Sequence, residues 1–150
     1  MDKIEVIELA NRLFVAVDER DWNEILNLFN DYVLLDYSSM TGGEPVSLTP
    51  AQIVNSWKEL LPGFDNTHHQ LGNYVVKLGA KVTTVSCYGT ATHFLKNDSN
   101  NNVWTVVGTY DLEFINVNTD LKVSKMKFNL KYIDGNNDLP VLAQNRLKNM

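Results

Sequence analysis

A chain of 150 residues with 44% hydrophobic content is long enough for one domain with a real core and too short for two ordinary ones. The formal net charge is −5 and the 13 Lys and Arg are scattered, which argues against a nucleic-acid footprint or a polybasic membrane patch. The single cysteine, Cys87, has no internal partner, and no Cys/His spacing resembles a zinc site, so a reduced, cytoplasmic setting is the expectation.

Charged and apolar residues alternate from Asp2 onward, with no secretory apolar region. No apolar run approaches the roughly 18 residues that span a bilayer. Ile4, Ile7, Ala10, Leu13, Phe14 and Val17 recur at helical spacing and predict an amphipathic first helix. Asp18 follows at its C-terminal end, where the helix dipole is unfavourable for a carboxylate. It is there either as a solvated residue or because it faces a basic partner in the interior.

Asp21-Trp22-Asn23-Glu24 reads as a helix cap with a reciprocal glutamate, opening a short second helix. Tyr32–Tyr37 reads as a strand, with Val33, Leu35 and Tyr37 on one face. Thr41–Ser47 is a glycine-containing loop. Thr49-Pro50-Ala51-Gln52 combines a capping box with proline at the first helical position, and starts a third helix that ends at Pro62-Gly63.

From Thr67 the period becomes two. Thr67–Leu78, Lys81–Lys96, Val103–Val117 and Leu121–Ile133 predict four long strands joined by short turns, hence an antiparallel meander. Helices first and a curved, mainly antiparallel sheet afterwards is an α+β layout. The domain is assigned to residues 1–135 and a C-terminal tail to 136–150. If His69 faces inward, Lys77 would do so too unless a bulge near Gly72-Asn73 shifts the face to Tyr74, Val76 and Leu78. His68 then faces outward.

On the following strand His93 shares its face with Val85, Cys87, Gly89, Ala91 and Leu95. Further inward faces carry Trp104, Val106, Gly108, Tyr110, Leu112 and Phe114, then Met126, Phe128, Leu130 and Tyr132. The sheet would form an apolar cup lined by Val17, Leu71, Val76, Ala91, Tyr110, Leu112, Phe114, Met126 and Phe128. His69, His93 and Tyr37 project into it, with Asp18 at its rim. An Asp–His pair with a second histidine is an acid–base set near neutral pH, and a tyrosine can stabilise a developing enolate oxygen. No nucleophile elbow, phosphate loop or metal-ligand spacing is present. The residues by themselves describe a cup-shaped α+β domain able to bind a ligand.

Asp18-Glu19-Arg20-Asp21-Trp22, Asp36-Tyr37-Ser38, and Thr67-His68-His69 followed by Gly72 stand in the order seen in the SnoaL-like branch of the NTF2-like superfamily. The chain resembles that branch from about Ile4 to Tyr132, and within it the scytalone dehydratase pattern. The resemblance implies a cone of three N-terminal helices on a strongly curved sheet. It implies His69 as the acid–base group, His93 paired with Asp18, and Tyr37 polarising a substrate carbonyl through a water. It departs from the pattern at Val17, where a tyrosine precedes the motif aspartate, and at Leu112 and Phe114, where polar residues are expected.

Together these readings give a lyase (dehydratase) or isomerase needing no cofactor and no metal, acting on a small apolar carbonyl compound. The alternative is a non-catalytic small-molecule-binding or oligomerisation domain, which predicts a filled or closed pocket and no Asp18–His93 hydrogen bond. Partners are expected to be a small apolar molecule and further copies of the chain, as a dimer or trimer through the convex sheet face. Neither nucleic acid nor a membrane is expected.

Overall fold

Asp2 opens the first helix by accepting the Glu5 amide, while the Glu5 carboxylate accepts the Asp2 amide. The two satisfy orphan donors reciprocally. This helix, α1 (Lys3–Glu19), buries Val6, Ala10, Leu13, Phe14 and Val17 on one stripe. It ends at Arg20, whose left-handed backbone (φ 57°) turns the chain sharply into the next helix. The Arg20 guanidinium donates to the Asp18 carbonyl at 2.8 Å and to the Leu61 carbonyl at 2.7 Å, tying the end of α1 to the segment at Leu61.

The computed structural model describes Met1–Met150. After α1 come α2 (Trp22–Leu28), β1 (Phe29–Asp36), α3 (Ser38–Thr41), β2 (Val46–Leu48) and α4 (Pro50–Lys58). A 3-10 turn at Leu61–Gly63 leads into β3 (Asn66–Lys77), β4 (Val82–Phe94), β5 (Val103–Val117) and β6 (Asp120–Gly135), and the chain closes with α5 (Leu139–Lys148). The sheet order is β2-β1-β6-β5-β4-β3, antiparallel throughout except for the β1–β6 pair. This is the α+β architecture of the NTF2-like fold, a curved sheet with helices against its inner face. No helix is long and apolar enough to cross a membrane.

The capping box at Thr49 and Gln52 forms as expected, with Pro50 at the first helical position. At α2 only half of the expected box forms. Asp21 accepts the Glu24 amide, but the Glu24 carboxylate is taken by Arg12 of α1 instead. The loop expected over Thr41–Ser47 is shorter than its sequence indicates, because α3 and β2 take its ends. Residues 136–150 also do more than trail from the domain: α5 buries Leu139 and Ala143 completely.

Parity along the strands decides which side chains face inward. In β3 the pairing with β4 shifts between Gly72 and Val75, and Asn73 adopts φ 53°. This is the expected bulge, and beyond it Val76 is buried while Lys77 reaches water. Two further shifts occur in β6, at Ser124 and Lys131. The second turns Tyr132 outward, to 57% exposure, against the inward position its alternation predicts. Cys87 is buried, as a small hydrophobe would be, and burial raises its thiol to about 11.

The last helix sits directly on the 3-10 turn. A Cβ on Gly63 would lie 2.2 Å from the Ala143 carbonyl oxygen, so only glycine allows this approach. Arg146 reinforces the contact through Asp65 and the Gly63 carbonyl. Gly63→Ala is therefore expected to lower stability by roughly 1–3 kcal/mol, the usual cost of overpacking. Urea unfolding, with limited proteolysis near α5, measures the effect.

Candidate active site

Thr67 and His69, two residues apart on β3, point the same way, toward the C-terminal end of α1. Asp18 meets both. Its Oδ1 accepts the Thr67 hydroxyl at 3.0 Å and lies 2.7 Å from His69 Nδ1, and its Oδ2 accepts the His69 backbone amide at 2.7 Å. Burial by itself would raise the Asp18 carboxyl, but the His69 ring, its positive form and backbone amide, and the Thr67 hydroxyl outweigh it and hold the group below its ordinary value. An ionised carboxylate can only accept, so His69 Nδ1 carries the proton and donates. In the neutral form of the ring the other nitrogen, Nε2, is left as a lone pair, and His69 lines the cavity.

Asp18 is not bonded to His93, which corrects the pairing implied by the family resemblance. The His93 Nδ1 lies 3.0 Å from the carbonyl of Trp104, its direct partner across the β4–β5 hairpin. The hairpin itself therefore satisfies this nitrogen. Phe64 and Trp104 pack on the ring, with centroids 5.0 and 4.5 Å away. The rings of His69 and His93 stand edge to face, 6.0 Å between centroids.

His93 is 5% exposed, and burial lowers its imidazole to about 4, helped by the nearby His69. The Trp104 carbonyl and Asp18 oppose the shift without cancelling it. An unfolded histidine titrates near pH 6.5, so between pH 6.5 and 4 the unfolded chain binds a proton that the folded chain does not. Stability consequently falls as the pH drops through that window, by on the order of 3 kcal/mol from this one group. Urea unfolding at pH 7 and pH 4.5 should show a smaller loss in His93→Phe than in the parent.

Asp36-Tyr37-Ser38 has a local explanation. Asp36 accepts the Ser38 amide at 3.0 Å and its hydroxyl at 2.6 Å, making a side-chain turn that ends β1 and aims Tyr37 inward. Tyr37 packs near Phe128, and Tyr110 lies between Phe14 and Phe128. Burial raises both phenols above their ordinary range, so each remains a proton donor at neutral pH. Neither hydroxyl has a protein hydrogen-bond partner, and no buried side-chain polar atom is unpartnered, so both hydroxyls are accessible from the cavity they line.

The cavity has a volume of about 320 Å³, within the range of small-ligand pockets. Of the residues expected to line it, Val17, Tyr37, His69, Ala91, His93, Tyr110, Met126 and Phe128 do so. Asp18 stands behind His69. Leu71, Val76, Leu112 and Phe114 do not line it. Leu71 lies near the β3 bulge and packs toward Gly89. Leu112 and Phe114 are each 1% exposed and belong to the solid core with Val6 and Leu13.

In their place the wall is completed by Phe14, Leu35, Met40, Trp57, Leu60, Leu61, Trp104 and Val106. Phe14, Leu35, Trp104 and Val106 stand on the apolar stripes of the sequence, which do not mark them as cavity wall. Trp104 had a usable signal, since counting back through the β4–β5 turn places it opposite His93. No Lys, Arg, Asp or Glu lines the cavity. The sequence also led to the expectation that a tyrosine was lost at Val17, yet Tyr110 brings a second phenol to the same cavity.

The SnoaL-like domain profile matches residues 1–127. No curated protein matches the chain in sequence. Among solved structures, the Kfla4162 protein of Kribbella flavida is similar at 24% identity and a TM-score of 0.86, covering 95% of this chain and 97% of its own. A scytalone dehydratase candidate from Novosphingobium aromaticivorans is similar at 12% identity and a TM-score of 0.70, with coverage of 87% and 85%. The hexachlorocyclohexane dehydrochlorinase LinA-type3 of Novosphingobium barchaimii gives 14% identity and a TM-score of 0.68, with 88% of each chain covered. At these identities the likenesses establish the fold.

Proposed function

The chain belongs to the SnoaL-like domain family, and from that premise we propose that it is a lyase or isomerase acting by His/Asp acid–base chemistry on a small, apolar carbonyl compound. The observation that carries this reading is the Asp18–His69 contact, a carboxylate fixing the tautomer of an imidazole whose free nitrogen faces an apolar cavity. The dehydratase candidate and the dehydrochlorinase among its fold neighbours support an elimination.

In the proposed course, His69 Nε2 takes a proton from the carbon next to the substrate carbonyl. The C–H electron pair moves into an enolate, whose oxygen accepts from Tyr37 and Tyr110. When the carbonyl re-forms, the bond to a β-hydroxyl breaks and the departing oxygen takes the proton from His69, giving an enone and water. An isomerase returns that proton to a different carbon instead. Asp18 stays ionised and supports the imidazolium.

The separation of Asp18 from His93 is the observation favouring a non-catalytic binding domain. The two readings are distinguished by following a panel of small aryl ketones, with and without a β-hydroxyl, in D2O by NMR. Enone formation or α-deuteration above the buffer rate is expected for at least one compound. Absence of both across the panel would favour the binding domain.

A further inference from the structure

The residue that ends α1 stands where glycine is ordinarily found, and here it is an arginine. Arg20 holds φ 57° and ψ 36°, the left-handed conformation in which helices commonly stop. A residue with a Cβ is strained in that backbone. What favours arginine there is found in the contacts of its guanidinium.

Asp18 lies in the last turn of α1, where carbonyls have no partner within the helix. The amides of Arg20 and Asp21 take the carbonyls of Val17 and Ala16, at 3.2 and 2.8 Å. The Asp18 carbonyl is left to the Arg20 guanidinium, which also reaches the Leu61 carbonyl. Asp18 is thus held from behind by Arg20, while Thr67 and His69 hold its carboxylate in front. No basic residue stands in the last turn of α1, so the guanidinium is the cation that offsets the negative helix end beside Asp18. Partial burial lowers the Arg20 guanidinium, and the charge of Asp18 opposes that shift.

We infer that Arg20 is a positioning residue for the proposed reaction: by pinning the end of α1 it keeps the Asp18 carboxylate against His69 Nδ1. The inference rests on the acid–base reading of that pair and adds a residue that does not itself line the cavity. Helix ends are where a fold opens most easily. A frayed last turn would let the carboxylate leave Nδ1, and the ring could then carry its proton on Nε2, the wrong nitrogen for a base.

The test replaces Arg20 with glycine and with asparagine, the two residues best suited to a left-handed helix end, so that the guanidinium is removed without straining the chain. The tautomer of His69 is read from the ring-nitrogen resonances of the whole protein labelled with 15N-histidine, near pH 8. In the unsubstituted protein the proton is expected on Nδ1. Both variants should show it partly on Nε2, while His93 keeps its own tautomer because Trp104 holds it. On a ketone found by the exchange assay, kcat should fall roughly 10- to 100-fold, as for a misplaced catalytic group, with KM nearly unchanged. Arg20→Lys, which returns a cation and one donor, should regain part of that loss. An arginine that only braced the segment at Leu61 would change KM and the unfolding midpoint and leave the His69 tautomer alone. An unchanged tautomer in the folded variants, or a loss confined to KM, would overturn the assignment. Failure of both variants to fold would overturn it as well, by making Arg20 a residue of the fold. If the tautomer shifts but no compound turns over, the acid–base reading fails and the positioning role stands.

Discussion

Replacing His69 with alanine is expected to reduce turnover by roughly 10²–10⁴-fold, the range that one positioned acid–base group supplies. The loss should fall mainly on kcat, because the side chain is one of many that form the apolar wall, while its Nε2 is the proposed base and its Nδ1 is held by Asp18. Asp18→Asn tests the same unit from behind. Its amide can donate toward Nδ1, which favours the tautomer with the proton on Nε2 and removes the base from the cavity. Most of the His69→Ala loss should therefore reappear, with ligand binding retained. Steady-state kinetics of the three proteins on a compound found by the exchange assay measures this, and full activity in His69→Ala would end the mechanism.

The second large effect is on folding. Phe114→Ala should cost about 3–5 kcal/mol, as deletion of a buried aromatic ring commonly does. That is a sizeable share of the roughly 5–15 kcal/mol that holds a domain together. Phe114 is 1% exposed and lies in the core with Leu112, outside the cavity lining. Urea unfolding should thus show the full loss, while the folded fraction binds a ketone found by the exchange assay as before. A variant with changed affinity and unchanged stability would place Phe114 in the cavity wall, where its strand alternation alone had put it.

That contrast marks what was legible in the sequence. Strand parity identifies which face of β5 is apolar, and it placed Trp104, Tyr110 and Phe114 together correctly. Parity carries no information on how deep along the cone each residue sits, which depends on where the helices cross the sheet. The same gap explains the histidine pairing. The sequence puts Asp18 at the end of α1, but only packing shows that α1 lies along β3. His69 on that strand is thereby within reach, while His93 stands one strand farther away, about 4.8 Å in sheet spacing. Capping residues were more informative, because their partners are local. Thr49 with Gln52 was read correctly, and Glu24 was misread only because Arg12 competes for it.

The left-handed Asn73 divides β3 into two lengths with independent phase. On one side, Thr67 and His69 keep their register with His93 and Ala91; on the other, Val76 opposes Val85. An uninterrupted alternation could not turn both His69 and Val76 inward, because they stand an odd number of positions apart. The extra residue absorbs that conflict. The proposed chemistry rests on the first length and core packing on the second, so the aim of Tyr74 to Lys77 can be reset by a one-residue change at the bulge without re-aiming the histidine. Within a single strand, the protein has a joint at which a site and its foundation vary separately.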